Sequence, residues 1–501
     1  MDGAEGAMND QQTAIVIGSG FGGLAAAIRL GAKGYRVTVL EALDAPGGRA
    51  YVFKQDGFVF DAGPTIITAP FLFEELWALC GRRLADDVKL VELDPAYQIR
   101  FADGTVFNYS ADPGKMRAEV ARLCPADLPA YDRFMVKSRE IYGLFERLGD
   151  RPFSRFSDMI SVAPDLIKNS GYQTVYGLVR RYFSDERLRI VFSFHPLLVG
   201  GNPFDTTAIY TLIAHLERSF GVHFAMGGTG ALVDGMVRLI EGQGGEVRCQ
   251  APVASIRTAE GRVQGVTLQS GEALEAALVV SNADAVNTYE KLLDRPRKRW
   301  TKQKVSRARS SMGLFVWYFG VEGNYDDVPH HLILMGPRYR GLLKDIFKRK
   351  VLADDFSLYL HRPTATDPSL APPGCETFYV LSPVPNLDGD VDWTTMAEPY
   401  RERIAEALEK TVLPGLRAGL RTSRMMTPLD FRDRLDSFRG AGFSLEPILL
   451  QSAWFRPNNR SEEVEGLFLV GAGTHPGAGL PGVLSTAKVL EHLIPDAPRA
   501  A

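Results

Sequence analysis

Gly18, Gly20 and Gly23 stand at GxGxxG spacing, with Ser19, Phe21 and Gly22 between them, and an acid, Glu41, follows at the end of the next apolar run. Glycines so spaced let a backbone approach a diphosphate, and an acid roughly 20 residues on accepts hydrogen bonds from ribose hydroxyls. Glu41 would repel a 2′-phosphate, so FAD or NAD fits and NADP does not. Gly47-Gly48-Arg49 adds a second close backbone approach and a guanidinium that offsets diphosphate charge, which favours the longer flavin dinucleotide. A third cluster, Gly471-Ala472-Gly473-Thr474-His475-Pro476-Gly477-Ala478-Gly479, runs on to Gly482 and Val483 near the other end of the chain. Its amides are placed to face a ribityl chain or a flavin ring.

These groups need strands and helices to hold them. Ala14-Ile15-Val16-Ile17 reads as a buried strand, residues 24–30 suit a helix, and Arg36-Val37-Thr38-Val39-Leu40 reads as a second strand ending on Glu41. In such a unit Gly18 takes unusual backbone angles, Gly20 clears room for the pyrophosphate and Gly23 lets helix and strand pack. The diphosphate rests on free helix amides beside Phe21 and Gly22. A further strand runs into the constrained turn Gly63-Pro64-Thr65, which reaches toward the flavin, and Leu467-Phe468-Leu469-Val470 forms the strand before the third cluster. Val253, in a short strand, offers backbone contacts to the adenine.

The predicted class is α/β. A Rossmann-like FAD-binding domain is assembled from 10–85, 227–290 and 461–496, interleaved with a mixed α+β substrate domain. Residues 86–226 are read as its first part and a helical membrane-associating region, with Ile209, Leu212, Ile213 and Leu216 at helical-face spacing, and residues 291–460 as its second part.

Composition narrows the function. Lys and Arg number 57 against 60 Asp and Glu, so no global charge calls for nucleic acid. Cys80, Cys124, Cys249 and Cys375 show no CxxC spacing, and the eight histidines form no compact metal pattern, so no metal is expected. His330-His331 reads as a loop pair. No stretch reaches the roughly 18–20 apolar residues that cross a bilayer, and residues 1–12 lack a secretion pattern, so the expectation is a cytoplasmic protein, soluble or membrane-peripheral.

The segments around 16–23, 46–50, 60–65 and 471–483, together with 193–204, 356–361 and 451–457, resemble bacterial-type carotenoid desaturases of the phytoene desaturase kind, within the amine-oxidase-like flavoproteins. The resemblance covers about 13–490. It implies an FAD enzyme that removes hydrogens from phytoene, giving lycopene or a less unsaturated intermediate such as neurosporene, and attachment to the inner membrane where that substrate dissolves. Ala472 departs from the wider pattern, which often places an acid there. Other readings are a desaturase of a later or shorter carotenoid, a flavin amine oxidase, and a noncatalytic polyene carrier.

A polyene hydrocarbon has no carbonyl to polarise and no acidic proton, so the expected first event is hydride loss from an allylic carbon to flavin. A proton must follow, and a carboxylate in an apolar channel would both stabilise the cation and accept that proton. Asp158 is the candidate, lying among Phe153, Phe156, Met159 and Ile160 and matching an acidic position in related desaturases; His195 is a second. For the membrane, Arg295, Arg297, Lys298, Arg299, Lys302, Lys304, Arg307 and Arg309 surround Trp300 in a pattern suited to anionic headgroups. Residues 71–77 and 172–183 are further lipid-contact candidates.

Overall fold

The computed structural model describes residues 12–294 and 297–498, so the expected domain start at residue 10 and the basic residue Arg295 lie outside the described residues. Two sheets organise the chain. The first has five parallel strands in the order Leu467–Leu469, Leu278–Ser281, Thr13–Ile17, Arg36–Leu40 and Glu246–Arg248. Its strands come from both ends and the middle of the chain, and Val16 pairs with both Val39 and Val280. Against it lies the helix Phe21–Ala32, whose Leu24, Ala25, Ala26, Ala27 and Ile28 are all buried. Three consecutive alanines keep that helix slim where it meets the sheet on one side and the helix Leu480–Val489 on another.

The second sheet has seven strands in the order Leu420–Met426, Gly313–Glu322, Cys375–Val384, Leu358–His361, His331–Met335, Tyr97–Phe101 and Val106–Tyr109. Its pairs are antiparallel except that of His331–Met335 with Tyr97–Phe101. The long strand Gly313–Glu322 shows why the sheet is buried on both faces. Phe315, Trp317, Phe319 and Val321 enter one apolar cluster with the helix Trp393–Thr411, while Leu314, Val316 and Tyr318, one step out of phase, enter another. The segment 86–226 supplies two strands of this sheet as well as the helices Leu128–Leu148, Phe156–Lys168 and Leu212–Phe220.

Several surface expectations are corrected here. Trp300 is 2% exposed and Lys304 Nζ lies 4.1 Å from its ring centre, so the aromatic ring is core and enters no lipid interface. Long basic stems cover an apolar ring from outside just as they flank one at a membrane, which is why the two situations share a sequence pattern. Within residues 71–77, Leu72, Phe73, Leu76 and Trp77 are buried in the helix Pro70–Leu79. Within 172–183, Tyr172 is exposed but Val175, Leu178, Val179 and Phe183 are core. His330 and His331 are no loop pair: His331 opens a strand and both rings are buried. Among the described residues, no helix is long and apolar enough to cross a membrane.

Candidate active site

Both sheets contribute walls to one cavity of about 820 Å³. Ile17 and Leu40 reach it from the parallel sheet, and Leu314, Val316, Ile333 and Leu381 from the mixed one. At the parallel-sheet end the glycine turn opens onto it with Gly18, Gly20, Phe21 and Gly22. Gly23 is not on the wall. A Cβ there would lie 2.0 Å from the Gly18 carbonyl oxygen, so its role is the contact of helix with strand. Gly20 caps the helix Phe21–Ala32 with no side-chain hydrogen bond and no acid in the first turn, which leaves first-turn amides and the positive helix end facing the cavity.

Glu41 is buried at the edge of the same opening. Its Oε2 accepts from the Ser19 amide at 2.9 Å and its Oε1 from the Leu43 amide at 2.9 Å, so the carboxylate is fixed over the glycine turn. Gly48 and Arg49 follow on the wall. The Arg49 guanidinium donates to the Gly442 carbonyl at 2.9 Å and to Ser437 Oγ at 3.0 Å, tying the glycine turn to a segment almost 400 residues later. Burial pulls its pKa down, and the carboxylate of Asp284 works against that shift. Asp284 also lines the cavity. Its Oδ1 accepts from the Val286 amide, but its Oδ2 has no partner among the described residues.

Gly63, Pro64 and Thr65 form the next part of the wall, with Thr65 Oγ1 at 2.9 Å from the Tyr379 hydroxyl and 3.0 Å from that of Tyr359. Val253, Gly473, Gly482 and Val483 also line the cavity. His475 is there too, with its ring against Phe153 and its pKa pushed down to about 4 by burial, so it stands neutral. The donor set fits FAD. Open helix amides match a diphosphate, Glu41 matches ribose hydroxyls, and the unpartnered Asp284 Oδ2 calls for a hydroxyl donor that a ribityl chain carries.

Beyond this end the walls turn apolar. Leu144, Leu148, Leu197, Leu198 and Ile213 line the cavity, and Met159, Val162 and Leu166 bring one side of the helix Phe156–Lys168 to it. Asp158 is elsewhere. It sits in the first turn of that helix, where its Oδ2 accepts from the Arg155 amide at 2.8 Å in a capping box, beside a separate cleft with Arg147, Arg151 and His492. His195 is buried, with Nε2 at 3.1 Å from the Tyr97 hydroxyl and 3.2 Å from Glu217 Oε2, and Glu217 reaches the cavity wall. Asp284, Glu217, Tyr359 and Tyr379 are wall residues that sequence reasoning passed over. Only Tyr359 had a signal, its place in the 356–361 segment.

Residues 21–488 match the flavin containing amine oxidoreductase family. The chain is 52% identical to a neurosporene-forming phytoene desaturase of Cereibacter sphaeroides, over 98% of this chain and 96% of that protein. It is 49% identical to a lycopene-forming phytoene desaturase of Pseudescherichia vulneris, over 96% and 98%. A solved putrescine oxidase with putrescine bound superposes with a TM-score of 0.64 over 96% of this chain and 99% of that one, at 14% identity, a likeness of fold alone.

Proposed function

The chain belongs to the flavin-containing amine oxidoreductase family, among the bacterial phytoene desaturases, and we propose that it desaturates phytoene with FAD, giving lycopene or a less unsaturated product such as neurosporene. The observation that carries this reading is the continuity of the cavity: a cleft suited to a dinucleotide opens directly into a space walled by Leu, Ile, Val, Met and Phe. A hydrocarbon gains by burial there at about 25 cal/mol per Å² of apolar surface.

Bound FAD supplies the acceptor for a hydride from an allylic carbon. The chain's own residues do the rest. Glu41 and the first-turn amides beside Phe21 and Gly22 hold the nucleotide half, while Asp284 and the segment of Gly473, Gly482 and Val483 hold the part nearer the substrate. The apolar walls fix the polyene by shape and keep water from the positive charge that hydride loss leaves on it.

The site for loading lies at the helix Phe156–Lys168. While Met159, Val162 and Leu166 line the cavity, Phe156, Ile160 and Ile167 of the same helix are 52%, 62% and 67% exposed, and Leu450 and Tyr172 nearby in sequence to other wall segments are exposed as well. A helix with one apolar side toward the cavity and another toward the outside supports a peripheral seat on a membrane, from which a dissolved polyene enters without crossing water.

The test is reconstitution of the purified protein with FAD and phytoene-loaded liposomes, followed by pigment chromatography. Coloured polyenes are expected. Phytoene left intact by protein that retains its flavin would falsify the substrate assignment, and hydrogen peroxide release from amines would favour an oxidase.

A further inference from the structure

Each double bond formed by the desaturation proposed above releases a proton as well as a hydride, and most of the cavity wall is hydrocarbon that can take no proton. Glu217, Asp284 and His475 also stand on the wall, but one stretch continues from the wall into a line of buried polar groups. Thr65 and Tyr359 face the cavity with hydroxyls 3.0 Å apart, and the Tyr359 hydroxyl lies 2.8 Å from His331 Nδ1. Behind them His361 Nε2 stands 3.1 Å from His330 Nε2, and His330 Nδ1 stands 2.6 Å from Thr366 Oγ1 on a half-exposed residue.

The one break in this line is between His331 and His361. Their rings stack at 5.2 Å, and one nitrogen from each of the three histidines lies within 4.8 Å of the others, close enough for a single water to bridge. His331 Nε2 and His361 Nδ1 are the nitrogens without a hydrogen-bond partner among the described residues, although both side chains are fully buried. A core built only for packing would place apolar side chains there and avoid burying unpaired polar atoms. The cluster contains no carboxylate, and the Arg362 guanidinium adds positive charge beside it, so a divalent cation would find no anionic ligand. Burial holds all three imidazoles neutral, each with one nitrogen free to accept and one carrying a proton.

We propose that Tyr359, His331, His361, His330 and Thr366, with Thr65 beside the Tyr359 hydroxyl at the cavity end, form the path by which the substrate proton leaves the cavity for solvent. The inference rests on the desaturase reading. Once a hydride has gone, the C–H bond beside the cationic carbon breaks and its electron pair becomes the new π bond. The freed proton passes to the Tyr359 oxygen as that hydroxyl gives its own to His331 Nδ1. His331 releases the proton on Nε2 through water to His361 Nδ1, His361 releases one from Nε2 to His330 Nε2, and His330 Nδ1 hands one to Thr366 and bulk water. One proton enters, one leaves, and each ring ends neutral. A proton next to a carbocation is acidic enough to start this transfer without a carboxylate.

The experiment uses flavin-loaded wild type, His361→Leu, His361→Ala and Thr366→Val on phytoene-loaded liposomes, in H₂O and D₂O. The histidine variants are expected to turn over on the order of 100-fold more slowly with flavin content unchanged. Thr366→Val is expected to be slowed less, with an altered solvent isotope effect, and added imidazole should restore part of the His361→Ala rate. If the histidine variants lose flavin, Thr366→Val carries the test, since it alters only the half-exposed end. Wild-type rates and isotope effects in the variants would overturn the path while leaving the desaturase reading intact, and so would one tightly bound metal ion per chain by elemental analysis. Phytoene untouched by the wild type would overturn both.

Discussion

The two ends of the cavity obey different rules. At the nucleotide end the constraint is set by backbone: Gly18 and Gly471 have φ of 87° and 92°, a Cβ on Gly22 would come within 3.1 Å of the Gly471 backbone, and one on Gly23 would collide with the Gly18 carbonyl. Few residues satisfy such a site. At the hydrocarbon end the walls are Leu, Ile, Val and Met side chains drawn from the mixed sheet and from helices such as Leu128–Leu148, Phe156–Lys168 and Leu212–Phe220, where any set of the right volume would serve. One end is therefore written residue by residue and the other only as a total volume.

The sharpest way to break this contrast is to make the same change on each side. Gly23→Ala puts a methyl group 2.0 Å from the Gly18 oxygen, a backbone atom that cannot swing away, so the expected result is loss of flavin and of soluble protein. Gly143→Ala, in the middle of the helix Leu128–Leu148, meets nothing within 4 Å and should raise stability by about 1 kcal/mol. Flavin absorbance and chemical denaturation of both variants check the pair. A Gly23→Ala protein that folds with full flavin would show that the turn is not backbone-limited.

This contrast also explains what the sequence revealed. The glycine spacing and Glu41 were legible because they solve a backbone and charge problem within about 25 residues of chain. The histidine cluster was not. His331 and His361 are register partners in an antiparallel strand pair, 30 positions apart, and no local pattern announces which residues a register brings together. Asp284 was missed for a similar reason: it lies three residues past a strand whose place beside Thr13–Ile17 is a tertiary fact. Trp300 misled because its basic neighbours look the same over a core ring as at a lipid surface.

A second difference between the ends is acid sensitivity, concentrated in the mixed sheet. Burial lowers the pKa of His330 to about 3 and holds His331 and His361 well below the usual 6.5. Below that ordinary value the unfolded chain binds protons that the folded chain refuses, so stability is present above it and is lost as pH falls toward the folded values. Asp61 and Glu446, raised to about 6 and about 7 by burial, act in the opposite sense and stabilise the fold as pH falls through that range. Comparing wild type with His331→Gln/His361→Gln isolates the imidazoles. Between pH 6 and 5 the wild type should lose more stability than the variant by about 1.2 kcal/mol per histidine removed. Equal losses by urea denaturation would mean that these rings titrate normally.

Glu41→Gln keeps the shape of the nucleotide end and removes its charge. Hydrogen bonds to a charged group contribute about 1.5–3 kcal/mol, so FAD affinity should fall on the order of 10- to 100-fold, read by quenching of flavin fluorescence. Because Glu41 also anchors the Ser19 and Leu43 amides, Glu41→Ala should cost more than Glu41→Gln. Equal affinities for the two variants would place the whole effect in charge and none in the fixing of the glycine turn.

The smallest expected effect is at the hydrocarbon end, and it separates a wall from a mouth. Ile160→Glu/Ile167→Glu changes two exposed positions of the helix Phe156–Lys168 and leaves Met159, Val162 and Leu166 in place. Flavin content and thermal stability should therefore match wild type. Full burial of an aliphatic side chain contributes about 1.5–3 kcal/mol, and a shallow interfacial seat recovers only a small fraction of that at each position, so losing both should weaken liposome co-sedimentation several-fold. Turnover of phytoene held in liposomes should fall with binding, while turnover of phytoene presented in detergent micelles should not. If both fall together, the helix acts on the reaction through the cavity wall and its outer side chains have no separate part in loading.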